Sequence, residues 1–168
     1  MTDLFFLTMT SMTMKKVLYA MCVALIAVSV LSCDRYEDGR PQKSVIKEFN
    51  NMYQDAKDVE WESEGGYWKV SFETGIRPNR IEHEAWYDEA GNWVMTETDM
   101  FLSSVPQSIK DFLASDAVYG AASFRDNDVE FWQTPSGNFY RFDLRLDGRE
   151  VEVDVTEDGK VSLAGYDF

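Results

Sequence analysis

The spacing of apolar and polar positions changes along this chain, and each change marks an element. From Val17 to Leu31 the residues are apolar with Ser29 as the one interruption. Over residues 42–54, Val45, Ile46, Phe49, Met52 and Tyr53 recur at helical spacing, which predicts an amphipathic helix. The period then drops to two. Residues 58–62 predict a short strand around Val59 and Trp61. Residues 67–73 place Trp68, Val70 and Phe72 on one face, and Tyr67, Lys69, Ser71 and Glu73 on the other. A loop over 75–79, a strand over 81–88, a turn at Glu89-Ala90-Gly91-Asn92 and a strand over 93–97 complete this series.

The series then recurs. Ser104 as N-cap with Gln107 predicts a capping box, with Pro106 in the first turn. Ile109, Phe112 and Leu113 supply the apolar face of a second helix. A strand region over 122–134 is interrupted by Asp126-Asn127-Asp128, which reads as a loop or bulge. Residues 139–146 set Tyr140, Phe142, Leu144 and Leu146 on one face. Asp147-Gly148 predicts a hairpin turn, followed by strands over 150–155 and 161–163. Pairs such as Gly66-Tyr67-Trp68-Lys69-Val70 with Asn138-Phe139-Tyr140-Arg141-Phe142 align by eye. The expected fold is therefore α+β: two tandem helix-plus-four-strand antiparallel units, residues 41–102 and 103–168, with helices packed on one sheet face.

The apolar run has a different use. Lys15 and Lys16 precede it, as in the basic n-region of an export signal, and Met14 is the expected natural start. The run is shorter than the ~20 residues of a membrane span. Ser32 before Cys33 resembles the lipobox of bacterial lipoproteins. That resemblance implies removal of residues 1–32, lipidation of Cys33 and a polar tether over 33–40. Val30 and Leu31 depart from the usual box, and an ordinary secretory signal is the alternative. The expected location is the bacterial cell envelope, on the periplasmic face or the outer-membrane surface, with the membrane reached through the lipid anchor.

Charge narrows the partners. Asp and Glu number 30 against 16 Lys and Arg, a net of -14, so phosphate backbones are repelled and nucleic acid is not an expected partner. Aromatic residues make up 14%, which belongs to a folded domain and not to an acidic tail. On these readings Cys22 is expected to leave with the signal and Cys33 to carry lipid. No disulfide, thiolate metal site or cofactor is expected.

The helix starts at Pro41-Gln42 and Pro106-Gln107, the Val59-Glu60-Trp61 strand, Tyr67-Trp68-Lys69-Val70-Ser71-Phe72 and the turns at Gly91 and Gly159 resemble the PepSY-like family. That family is described as β-lactamase-inhibitor-like and occurs in short lipoproteins and periplasmic proteins of Bacteroidetes. The resemblance covers nearly all of residues 41–168. It implies a sheet with helices on one face and the other face free for a partner. It is informative about fold and says little about activity.

Candidate chemistry is sparse. His83 is the only histidine. A metal ligand or general base is one reading, and a packed, hydrogen-bonded strand histidine is the favoured one, since no second histidine or mature thiol accompanies it. Glu82, Glu84 and Asp88 are mirrored by Glu150, Glu152 and Asp154. They read either as a solvated face with Lys69, Arg141 and Arg145 as partners, or as a cation site. Ser103, Ser104 and Ser136 lack a triad, and Gly65-Gly66 is a hairpin turn and not a phosphate loop. The best binding signal is aromatic: Trp86, Tyr67 and Phe139 share outward parity with Glu82 and Glu84. The expected function is thus a non-enzymatic, lipid-anchored module presenting an open aromatic and acidic sheet face to an envelope protein or peptide, an envelope hydrolase among them. The alternative is a cation- or ligand-sensing domain using Glu82, Glu84, Glu150 and Glu152.

Overall fold

The computed structural model describes residues 35–36 and 39–165. The expected signal segment and Cys33 lie outside them. The elements are β1 (Arg35–Tyr36), α1 (Lys43–Met52), β2 (Lys57–Glu64), β3 (Tyr67–Ile76), β4 (Asn79–Tyr87), β5 (Trp93–Phe101), a 3-10 turn (Leu102–Ser104), α2 (Gln107–Ser115), β6 (Ser123–Thr134), β7 (Gly137–Leu146), β8 (Arg149–Thr156) and β9 (Val161–Leu163). Among the described residues these strands make one sheet in sequence order, β1 to β9. Strands β2 to β9 are antiparallel, and β1 lies parallel to β2 through Arg35↔Glu60 and Tyr36↔Trp61. Part of the expected polar tether is therefore strand.

This corrects the expected architecture of two tandem helix-plus-four-strand units. The ladder does not stop between them. β5 pairs with β6 from Thr96↔Gln133 to Phe101↔Asp128, so the backbone hydrogen bonds continue across the middle of the sheet. Trp86, Met95 and Trp132 form an apolar cluster over that join. The described residues form mainly one antiparallel sheet with two short helices.

Both helices cover the same face. Val45 and Phe49 of α1 pack against Val59, Trp61, Val70, Phe72, Ala85 and Tyr87. The Phe49 ring meets Trp61, Phe72 and Tyr87 edge-on at centroid distances of 5.3, 5.0 and 6.4 Å. Such contacts are worth about 0.5–1.5 kcal/mol each beyond burial. Just past α1, the Tyr53 hydroxyl lies 2.6 Å from Thr96 Oγ1, which also accepts a bond from Trp93 Nε1 at 2.8 Å. The buried Thr96 is thereby satisfied and ties α1 to β5. Ile109 and Leu113 of α2 pack against Val129, Tyr140, Phe142, Leu144, Val153 and Val155.

Two turns admit the helices closely. Gly91 has φ +97°, and a Cβ there would stand 3.2 Å from Ser44 of α1. Gly159 has φ +90°, and its Cβ would stand 2.8 Å from the Phe112 ring of α2.

The expected capping box on α2 is absent. Pro106 occupies the N-cap position with no side-chain hydrogen bond, and Ser104 closes the preceding 3-10 turn. The cause is local: Val105 precedes a proline, which disfavours helical ψ, and it adopts φ -66°, ψ 134° with its side chain buried. The helix starts only after Pro106.

Candidate functional site

Side chains alternate across a strand, so everything that does not meet the helices emerges on the opposite face. On β3 these are Tyr67, Lys69, Ser71 and Glu73. The register then brings Trp86 opposite Lys69, Glu84 opposite Ser71, and Glu82 opposite Glu73. On β5, Met95 faces Trp86 and Glu97 faces Glu84. On β6, Trp132 faces Glu97 and Glu130 faces Asp99. Phe139 and Arg141 of β7 face Trp132 and Glu130.

Three rings stack along this face. Trp86 and Trp132 lie 5.7 Å apart at 20°, and Trp132 and Phe139 lie 6.0 Å apart at 3°. Two cations stand over the row. Lys69 Nζ is 6.0 Å from the Trp86 ring, and Arg141 Cζ is 5.0 Å from Trp132 and 5.7 Å from Phe139. Lys69 Nζ also reaches Glu62, Glu64 and Glu84 at 2.6, 3.3 and 3.5 Å. Burial alone would lower its pKa, but the bonds to Glu62 and Glu64 and the nearby Glu84 hold it above the usual lysine range. Arg141 donates to Asp154 from Nε at 2.9 Å and from Nη2 at 3.3 Å. Trp132 Nε1 donates to Glu130 at 2.8 Å.

Beside the rings the face is crowded with carboxylates. Burial, then Glu130, Glu84 and Asp99, push the Glu97 pKa up to about 8, with Arg141 opposing. Burial followed by Glu82, Glu84 and Asp128 raises Asp99. Burial also raises Glu130, against the Trp132 N–H and Arg141. A hollow of about 500 Å³ opens here, lined by Asp58, Glu60, Ser71, Phe72, Glu73, Glu82, His83, Glu84, Glu97 and Asp99. Its second basic neighbour, Arg80, is engaged by Asp58 and Glu73.

The residues singled out in the sequence are distributed unevenly. Trp86, Tyr67 and Phe139 do share the open face, but Trp86 is 7% exposed, packed with Trp132 and Met95 beneath Lys69. Outward parity here means a buried ring, and Tyr67 and Phe139 are its half-buried flanks. Glu82 and Glu84 line the hollow. Glu150 and Glu152 sit on β8 with three strands between, a separation of about 19 Å at ordinary strand spacing. The two acidic pairs do not form one site. Among the described residues no group of three or more His, Cys, Asp or Glu side chains is placed to hold a metal.

His83 lies on the helix face, stacked on Phe72 at 4.9 Å, with Nε2 2.7 Å from Thr74 Oγ1 and Nδ1 2.9 Å from Thr98 Oγ1. Burial lowers its pKa. Asp126-Asn127-Asp128 occupies the register shift between Phe124 and Val129, a bulge. The carboxylates that sequence reasoning missed are Glu97, Asp99 and Glu130. The alternation Met95, Glu97, Asp99, Phe101 carries the signal, since it extends the fourth strand past residue 97.

No family model matches the chain, and no curated protein matches it. Solved structures do. A BLIP-like protein from Bacteroides fragilis matches with a TM-score of 0.63 at 20% identity, over 74% of this chain and 84% of that one. A DUF2874 family protein from Bacteroides ovatus gives 0.61 at 21% identity, over 74% and 89%. A provisionally assigned periplasmic protein from Bacteroides eggerthii gives 0.58 at 20% identity, over 73% and 86%. At these identities the likeness is one of fold, and the fold is BLIP-like.

Proposed function

We propose that this chain is a non-enzymatic binding module of the cell envelope, anchored by lipid at Cys33, whose open sheet face engages a protein or peptide. The observation that carries the reading is the asymmetry of the sheet. One face is covered by α1 and α2, while the other presents half-buried Tyr67 and Phe139 around a stacked core, next to a carboxylate-lined hollow. Rigid rings set among charges suit recognition of another protein. The BLIP-like and periplasmic neighbours support a binding role and an envelope location. The PepSY-like resemblance and the lipobox at Cys33 support the tethered form, and an envelope hydrolase is a partner class in keeping with the inhibitor-like fold. Engagement of both His83 ring nitrogens on the packed face argues against a general base there.

Fractionation and capture test the reading together. The full chain should partition with membranes, and Cys33→Ala should move it to the soluble fraction. Cross-linking in envelope extract should yield partners for the wild type that are lost from a Tyr67→Ser, Phe139→Ser variant of unchanged thermal stability. Identical partner sets for the two proteins would remove the open face from the function. Wild type in the soluble fraction would remove the anchor.

A further inference from the structure

The two hollows of the β3–β5 half adjoin. The acidic one shares Glu82 and Asp99 with a second of about 600 Å³, whose lining includes Ile81, Met100 and Phe101. Phe101 is 67% exposed, a large apolar side chain on the open face beside Asp99, whereas Ile81, 46% exposed, lies on the His83 face of β4. The cations nearest the field are already engaged, Lys69 with Glu62, Glu64 and Glu84, and Arg80 with Asp58 and Glu73. Along β5 the open-face positions follow one another as Glu97, Asp99 and Phe101. Alternate side chains on a strand repeat at roughly 6.8 Å, so an extended peptide laid along β5 presents its own alternate side chains with the same repeat.

We propose that this half of the open face docks an extended segment of a basic protein, with two cationic side chains, two residues apart, over Glu97 and Asp99 and an apolar side chain on Phe101. The inference rests on the reading that the open face binds a protein or peptide, and it names that partner's chemistry. Charge complementarity carries it: on a chain of net charge -14, the groups facing Glu97 are Glu84 from β4, Asp99 beside it and Glu130 from β6, with Arg141 of β7 as the opposing cation. A docked ammonium or guanidinium relieves that repulsion and displaces the proton that Glu97 holds at neutral pH. Docking therefore releases protons near pH 7 and strengthens as pH rises.

Calorimetry on the full chain tests this with three capped peptides, Lys-Thr-Lys-Thr-Leu and its analogues with glutamine or glutamate in place of both lysines. The basic peptide should bind at least about tenfold more tightly than the glutamine analogue. It should release protons at pH 7 but not at pH 9.5, as read from paired buffers of different ionisation enthalpy. Glu97→Gln with Asp99→Asn, which preserves shape, should abolish both the preference and the proton release. Phe101→Ser should weaken binding while leaving the proton release intact. Equal binding of the three peptides, or a double variant that binds like wild type, overturns the basic-segment assignment and leaves the broader reading standing. Binding of no peptide overturns the assignment as well, whereas the broader reading fails only in the capture experiment.

Discussion

Lys69 and Arg141 occupy corresponding places on the two halves of the open face, yet they are used differently. Arg141 is 8% exposed, forked onto Asp154 and laid over two rings. The fork is a geometry that a guanidinium suits, and the same charge opposes the raised pKa values of Glu97 and Glu130. Lys69 is a point charge shared among three carboxylates, with Glu97 and Asp99 beyond them still facing like charges. Arg141 closes the surface over Trp132 and Phe139, and the hollow of its half, about 410 Å³, opens beyond it beside Arg125, Asp143, Glu150 and Glu152. The hollow beside Lys69 is lined mainly by carboxylates. The same local frame thus sets a forked guanidinium over rings in one half and a shared point charge among carboxylates in the other.

The comparison breaks most visibly at Arg141. Arg141→Ala strands Asp154 and uncovers two rings, and should cost about 3–5 kcal/mol in denaturant unfolding, as for a broken buried pair. A loss below about 1 kcal/mol would show the two halves to be alike. Lys69→Ala should cost less, about 1 kcal/mol, because its partners are partly solvated. A third effect is one of pH. The folded protein holds a proton on Glu97 up to about pH 8, whereas an ordinary glutamate loses it near 4.5. The folded state therefore binds more protons across that interval, and stability falls as pH rises through it. Thermal unfolding should show a higher Tm at pH 5.5 than at pH 8.5, and Glu97→Gln should flatten the difference. An unchanged slope in the variant would place the proton elsewhere.

Much of the fold could be read in the chain because its signals are local. The alternation over Tyr67 to Glu73 placed Trp68, Val70 and Phe72 on the packed face, and the Asp147-Gly148 hairpin lies between β7 and β8 as its turn chemistry requires. The continuous sheet was not legible for a physical reason. β5 and β6 are joined through α2 and not by a hairpin, so no turn residue announces their pairing, and the register depends on contacts distant in sequence. Trp86 shows a second limit. Parity told which face it takes, but its burial depends on Trp132 and Met95, which arrive from two other strands. Glu97 was hidden in the same way: a lone glutamate in sequence acquires a raised pKa only when Glu84 and Glu130 are brought beside it.

The shape of the sheet's last strand bears on how copies of this chain meet. β9 spans Val161–Leu163 and pairs with Val153, Asp154 and Val155 of β8, and the Ala164 N–H donates to Glu152 O, so among the described residues the Arg149–Val151 stretch of β8 has no ladder partner on that side. That stretch carries exposed Arg149 and Glu150. A neighbouring copy adding a strand there would have to strip water from both charges, and a three-residue edge gives it little template to follow. Edge-to-edge addition of a second sheet is thereby disfavoured at this end of β8.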